Sequence, residues 1–294
     1  MAEVIVKNTI KYLFYIFLVI ILVTSCNNTK QYGQERRIIS LSPHITEIIY
    51  ALGADQGLVA VSTFCKYPVQ VQQKAKIGGL FDPNIEKIVS LKPTLLLGTP
   101  AHKKLDHDLR QFNLSVVMLP NETVVDILHT IDTLGQILGY ETEAQNLSGR
   151  IKQDLLLLSS KKRQHQPLAA MLVIGKESGS LQNLMVAGRE TFLNELWTLA
   201  GGINVFTDLP VHYSTVNLES IIQRNPQVII QFDPKRPGGI YSCNNEPEWQ
   251  YLQEVDAVKK GHLYIIGGDY VFIPGPRFFL LALDFYKLIE QVTK

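Results

Sequence analysis

The sequence predicts an α/β protein built as two similar lobes with mainly parallel sheets. Three observations carry this. Short apolar runs alternate with helical patterns from Arg37 onward, as in strand–helix–strand units. A purely helical stretch follows Met118, after which strand-like runs resume. One phrase is also written twice, NIEKIVSLKPTLLLG from Asn84 and NLESIIQRNPQVII from Asn217. At 294 residues the chain exceeds one ordinary compact domain, which suits two modest lobes.

The first 35 residues differ from the rest. Lys7 and Lys11 precede LFYIFLVIILV, which runs from Leu13 to Val23 and leads through Thr24 and Ser25 to Cys26. A basic start, a short apolar run and small residues before cysteine predict a lipoprotein signal over 1–25, with Cys26 as the lipidated first residue. An uncleaved signal anchor is the alternative, but the run is shorter than the roughly 20 residues a membrane span needs. Acyl chains contribute about 0.8 kcal/mol per buried CH₂, so a multiply acylated Cys26 would hold a soluble body at a bacterial envelope membrane, facing the periplasm. Residues 26–35, CNNTKQYGQE, are polar and aperiodic and read as a tether.

In the N-terminal lobe, 36–138, the candidate strands are RIISL, GLVAV, TLLLG and SVVML. Between the first two lies a helix over Pro43–Leu52, with Ser42 as N-cap, Pro43 at its first position and Gly53 past its end. Ile45, Ile48, Ile49 and Leu52 give it one buried stripe. ETVVDILHTIDTLGQILG and ETEAQNLSGRIKQDLLLLSSKKRQ are then helical. The second keeps Leu147, Ile151, Leu155 and Leu158 on one face and closes on a basic cluster suited to a helix C-terminus. Residues 139–165 therefore read as a spacer. The second lobe, 166–294, has strands at AAMLVIG, QVIIQF and HLYIIGG, helices at ETFLNELWTLAGG and NLESIIQRN, and a final helix from near Pro276.

The repeated phrase supplies one short helix and one buried strand to each lobe. Ile85, Ile88 and Val89, and likewise Leu218, Ile221 and Ile222, mark the core face, and Pro93 and Pro226 stop the helices. Glu86 and Glu219 stand off that stripe by about 100° and are expected to face solvent.

Several function classes are disfavoured. A formal charge of +1 from evenly mixed residues offers no basic block for nucleic acid. No HExxH pair or Cys/His zinc spacing occurs, so no protein-bound metal or intrinsic cofactor is assigned. ESGS at 177–180 lacks the Gly-x-Ser-x-Gly elbow, and no phosphate-binding Gly-Lys loop is present, so no catalytic residue is assigned. An exported lipoprotein hydrolase is the rival from another class, and a scavenger or sensor without a transporter is a third. Cys65 and Cys243 would be permitted to pair in an oxidising compartment, but their positions in the chain leave this open.

RIISLSPHITEIIYALGA, VAVSTFCKYP, IGGLFDPNIEKIVSLKPTLLLG and FIPGPRF together resemble the substrate-binding proteins of ABC importers for cobalamin, ferric siderophores and haem. The resemblance runs from about Arg36 to the C-terminus. It implies the class III, helical-backbone architecture: two lobes joined by one long helix, ligand in the cleft between them, little hinge motion. It also implies that one glutamate on each lobe docks into arginine pockets of a permease dimer that works with ATPase subunits. The matching residues are Glu86 and Glu219, with Glu47 as a weaker candidate on the solvent face of its helix.

The same resemblance assigns cleft positions. Phe64 matches an aromatic of the cobalamin cleft. Leu80 falls where the cobalamin binder has Trp, a departure that adjacent Phe81 would offset. Tyr213, Tyr270 and Phe272 are the matching positions of the second lobe, while Arg277 reads as a structural residue of the family's PGPR turn. Only Lys66 and Arg189 lie near these loops, too few cations for a strongly anionic catecholate siderophore. A neutral, bulky corrinoid such as cobalamin therefore leads, ahead of a ferric siderophore and haem. His44, His102, His212, Tyr213 and Tyr270 are the available axial ligands for haem.

Overall fold

The computed structural model describes residues 36–161 and 166–294. The signal segment, Cys26, the tether and residues 162–165 of the basic cluster lie outside the described residues.

The first sheet is wholly parallel, in the order β3-β2-β1-β4-β5. Its strands are β1 (Ile38–Ser40), β2 (Leu58–Val61), β3 (Ala75–Lys76), β4 (Leu95–Gly98) and β5 (Val116–Met118). Helices α1 (Pro43–Ala51), α2 (Ile85–Ser90) and α3 (Lys103–Leu109) connect them. Both faces are covered, as parallel strands require. Ile38 joins the core on the α1 side and Ile39 the core built with Ile88 of α2 and Leu105 of α3.

The lobes are joined by α4 (Val124–Leu138) and the 20-residue α5 (Glu141–Ser160), which is about 30 Å long. Thr123 and Asp126 form a reciprocal capping box at the start of α4, and Gly139, at φ 78°, ends it. Gly135 lets the two helices touch, since a Cβ there would lie 2.4 Å from the Ala144 methyl. The expected stripe Leu147, Ile151, Leu155, Leu158 is buried. Helix α5 stops at Ser160, with no basic residue in its last turn.

The second sheet runs β11-β12-β10-β6-β7-β9. Its parallel centre is β6 (Leu168–Gly175), β10 (Val228–Asp233) and β12 (Leu263–Gly267). One edge of the long β6 is shared, first by β8 (Gly202–Asn204) in parallel and then by β7 (Leu184–Ala187) in antiparallel pairing. The outer strands β9 (Tyr213–Val216) and β11 (Gly239–Ser242) are antiparallel to their neighbours. Helices α6 (Phe192–Ala200), α7 (Leu218–Arg224), α8 (Asp256–Lys259) and α9 (Phe278–Val292) complete the lobe. The largest apolar cluster is continuous through α1, α4, α5, α6 and α9, so the two lobes share one core.

Cys65 and Cys243 are both buried and free, one in each lobe. Cys65 lies 3.2 Å from Thr46 Oγ1, and Cys243 Sγ accepts from Gln231.

Candidate ligand cleft and docking surfaces

The loop after β2 and the loop after β3 hold one another. Thr63 N–H donates to the Gly78 carbonyl, and the Phe64 ring lies so close to Gly79 that a Cβ there would stand 2.6 Å from it. Gly78, at φ 90°, turns the chain, and the Asp82 carboxylate accepts from Gly79 N–H. These glycines bring Phe64, Leu80 and Phe81 together. Phe64 is 61% exposed and Phe81 96%, while Leu80 is half-buried. Two exposed phenylalanines thus stand in adjoining loops, and large apolar side chains left in solvent mark candidate binding positions.

The loop after β12 supplies Phe272 and Tyr270, with different fates. Phe272 is partly exposed and meets Phe232 edge-on at 5.7 Å. From there the rings of Phe285 and Trp197 continue at 6.0 and 5.3 Å into the shared core. Tyr270 departs from expectation: it is buried against Gly268, and its phenol donates to Asp284 Oδ2 of α9 at 2.5 Å. Burial and Asp284 push that phenol above its ordinary range. With its hydroxyl committed to α9, Tyr270 supports the loop from beneath. Tyr213, at the head of β9, is half-buried, and burial and a hydrogen bond to Glu122 raise its pKa.

The expectation that Glu47 faces solvent is overturned. Its carboxylate is buried between the lobes and accepts two hydrogen bonds from Arg277, at 2.6 and 2.9 Å. Helix α1 is covered beyond its isoleucine stripe, since His44, Thr46 and Glu47 are buried along with Ile45, Ile48 and Ile49. Arg277 does take the structural role expected at the start of α9, and it also binds Asp269 at 2.7 Å.

Two histidines are withdrawn from the surface. His102 Nδ1 accepts from Thr99 N–H at 3.1 Å. His44 is buried, with Nδ1 3.0 Å from Ser42 Oγ, and burial, reinforced by His102, pushes it down to about 3. His44 thus stays neutral when folded but takes up a proton near pH 6.5 when unfolded. Its folded pKa is depressed, so the unfolded chain binds more protons between those values. Stability is expected to fall by about 1.4 kcal/mol per pH unit on acidification below about 6.5. Urea unfolding at pH 7 and pH 5 checks this: the loss should shrink in His44→Asn, and an equal loss in both proteins would refute it.

The repeated phrase folds twice into the same device. Asn84 and Asn217 are the N-caps of α2 and α7, their side chains accepting from Lys87 N–H at 2.8 Å and Ser220 N–H at 2.9 Å. Glu86 and Glu219 follow at the second helical position, exposed and without an ion pair among the described residues. The helices end in left-handed Lys92 and Asn225, one residue ahead of the prolines. Ile88 and Ile221 are buried, but Ile222, expected in the core, is 42% exposed. Glu219 borders a groove of about 850 Å³ that also takes in Ser180, Gln182, Asn183 and Tyr251.

Two sheets with a shared helical core and aromatic loops at their ends are the architecture of a two-lobed solute-binding protein. The chain belongs to the periplasmic binding protein family, whose model matches residues 38–270. It is 29% identical over 259 residues to a vitamin B12-binding protein of Vibrio cholerae, covering 87% of each chain. A vitamin B12-binding protein of Vibrio vulnificus is 30% identical over 252 residues, covering 84% of this chain and 87% of the relative. Among solved structures, the periplasmic vitamin B12 binding protein of Vibrio cholerae has a TM-score of 0.74 at 28% identity, covering 88% of this chain and 98% of that one. A periplasmic heme binding protein of the same species has a TM-score of 0.69 at 23% identity, with the same coverages, and shares the fold.

Proposed function

We propose that the chain is the lipid-anchored, periplasmic substrate-binding component of an ABC importer, capturing cobalamin or another corrinoid between its lobes. The observation that carries the ligand class is the exposure of Phe64 and Phe81 in adjoining loops of one lobe and of Phe272 in a loop of the other. The cations near these loops are mostly engaged: Arg277 is paired with Glu47 and Asp269, Lys76 donates to the Cys65 carbonyl, Arg189 lies 3.9 Å from Glu190, and Lys66 is exposed. A bulky neutral chelate has apolar edges for such rings to cover. Haem draws less support, because His44 and His102 are buried and the Tyr270 phenol is taken by Asp284. The vitamin B12-binding relatives add weight to the corrinoid. Glu86 and Glu219 are proposed to dock the permease dimer, one per subunit, and lipidated Cys26 to hold the protein at the membrane.

A thermal-shift panel of residues 36–294 with cyanocobalamin, ferric siderophores and haemin tests the ligand. Cyanocobalamin at 100 times its dissociation constant should stabilise by about 2.7 kcal/mol. For a body of this size that is a rise in Tm of roughly 5–10 °C. A comparable rise with haemin or a siderophore alone would transfer the assignment to that ligand, and no rise with any of them would sink it.

A further inference from the structure

Arg277 touches both lobes at once. Its guanidinium binds Asp269 at 2.7 Å, which closes the loop 269–277 on itself around Phe272. Its other edge forks onto both oxygens of Glu47 in α1, a residue 230 positions away. Its plane lies over the Tyr67 ring, 3.9 Å from the centroid, three residues beyond Phe64. Beside it Gly275 approaches α1 so closely that a Cβ would lie 3.3 Å from His44 Cα. One side chain, 16% exposed, thus holds the Phe272 loop, the Phe64 loop and the first helix of the opposite lobe. A guanidinium alone supplies such a planar fork and a stacking face together, which an ammonium does not.

We propose that Arg277 is a positioning residue that sets the spacing of the two aromatic loops, so that retention of a ligand depends on the Glu47–Arg277 pair without either residue contacting the ligand. The effect on retention rests on the cleft reading above, whereas the effect on the loops does not. Both loops carry hydrogen-bonded amides whose exchange reports on order: Thr63 and Cys65 in one, Val271 and Ile273 in the other.

The test is hydrogen exchange of the full chain in mild detergent, without ligand, for Arg277→Lys and Glu47→Gln. Exchange in 62–68 and in 268–277 should quicken together by about tenfold, with the amides of β6 and β10 unchanged. Cyanocobalamin dissociation should quicken by about as much, roughly tenfold, in the same variants. If exchange in 62–68 stays at the wild-type rate in both variants, or if every amide quickens alike, the positioning role is overturned. It is equally overturned if cyanocobalamin binds and leaves both variants at the wild-type rate. If the loops loosen together but the wild type does not bind cyanocobalamin, the corrinoid reading fails while the coupling of the loops by Arg277 stands.

Discussion

Alanine at both Glu86 and Glu219 is expected to abolish transporter-dependent uptake while leaving the affinity of the isolated protein for its ligand unchanged. Each carboxylate stands free on the second residue of a short helix, so its removal disturbs neither core. In a docked complex it would be desolvated against a cation, and loss of one partner from such a pair typically costs about 2–5 kcal/mol. Two sites related by approximate symmetry would double that loss, so each single variant should retain some uptake and the double variant none. Uptake by whole cells, set beside ligand binding by the purified protein, separates the two effects. Wild-type uptake by the double variant would return both glutamates to ordinary surface acids that merely favour a helix N-terminus.

The largest effect on stability is expected at Lys176, the residue that follows β6. Its ammonium pairs with Glu248 and, at 3.2 Å, with Glu246, and the side chains of Lys176 and Glu248 are largely buried. Glu246 also accepts from Gln231 and Trp249, so the lysine sits within a connected polar network. Burial works against the charge on Glu248, but Lys176 and backbone donors outweigh it and hold the carboxyl below its usual range. Lys176→Met removes the cation from the buried Glu248 carboxylate and should lower the unfolding free energy by about 3–5 kcal/mol in urea titrations at pH 7. The sign of the pH dependence follows. A depressed carboxyl contributes stability above its unfolded pKa and loses it as pH falls through its folded value. The deficit of the variant should therefore shrink on acidification below about pH 4.5. A deficit under 1 kcal/mol at pH 7 would mean that the pair contributes no more than a surface salt bridge, about 0–1 kcal/mol.

Elements with a strong local pattern were legible in the sequence to within a residue or two. Pro43 and Gly53 bracket α1, the Leu147–Leu158 stripe marks α5, and the apolar runs became β1, β2, β4, β5, β6, β10 and β12. The edge strands β9 and β11, and the short β7 between β6 and β9, were not foreseen. β9 and β11 are partly exposed and paired antiparallel, so they lack the continuous apolar run of a strand covered on both faces, and the apolar run LMVA of β7 is only four residues long. Of the candidate site, Phe64, Phe81 and Phe272 lie at exposed turns where Gly and Pro neighbours suggested them, whereas Tyr270 and Glu47 went inward.

The sequence by itself determined the two-lobed α/β plan and the repeated helix-stop-strand unit with its outward glutamate. Those features rest on periodicity and on caps, which act over a few residues and so are written in them. Only the tertiary structure decided that Glu47 is buried against Arg277, that Tyr270 bonds Asp284 beneath the loop, and that Glu122 reaches Tyr213. In each case the partner comes from another element, 230 positions away for Glu47 and 14 for Tyr270. A lone acid in an apolar helix shows that burial must be compensated, but which cation or phenol compensates it depends on how the lobes pack.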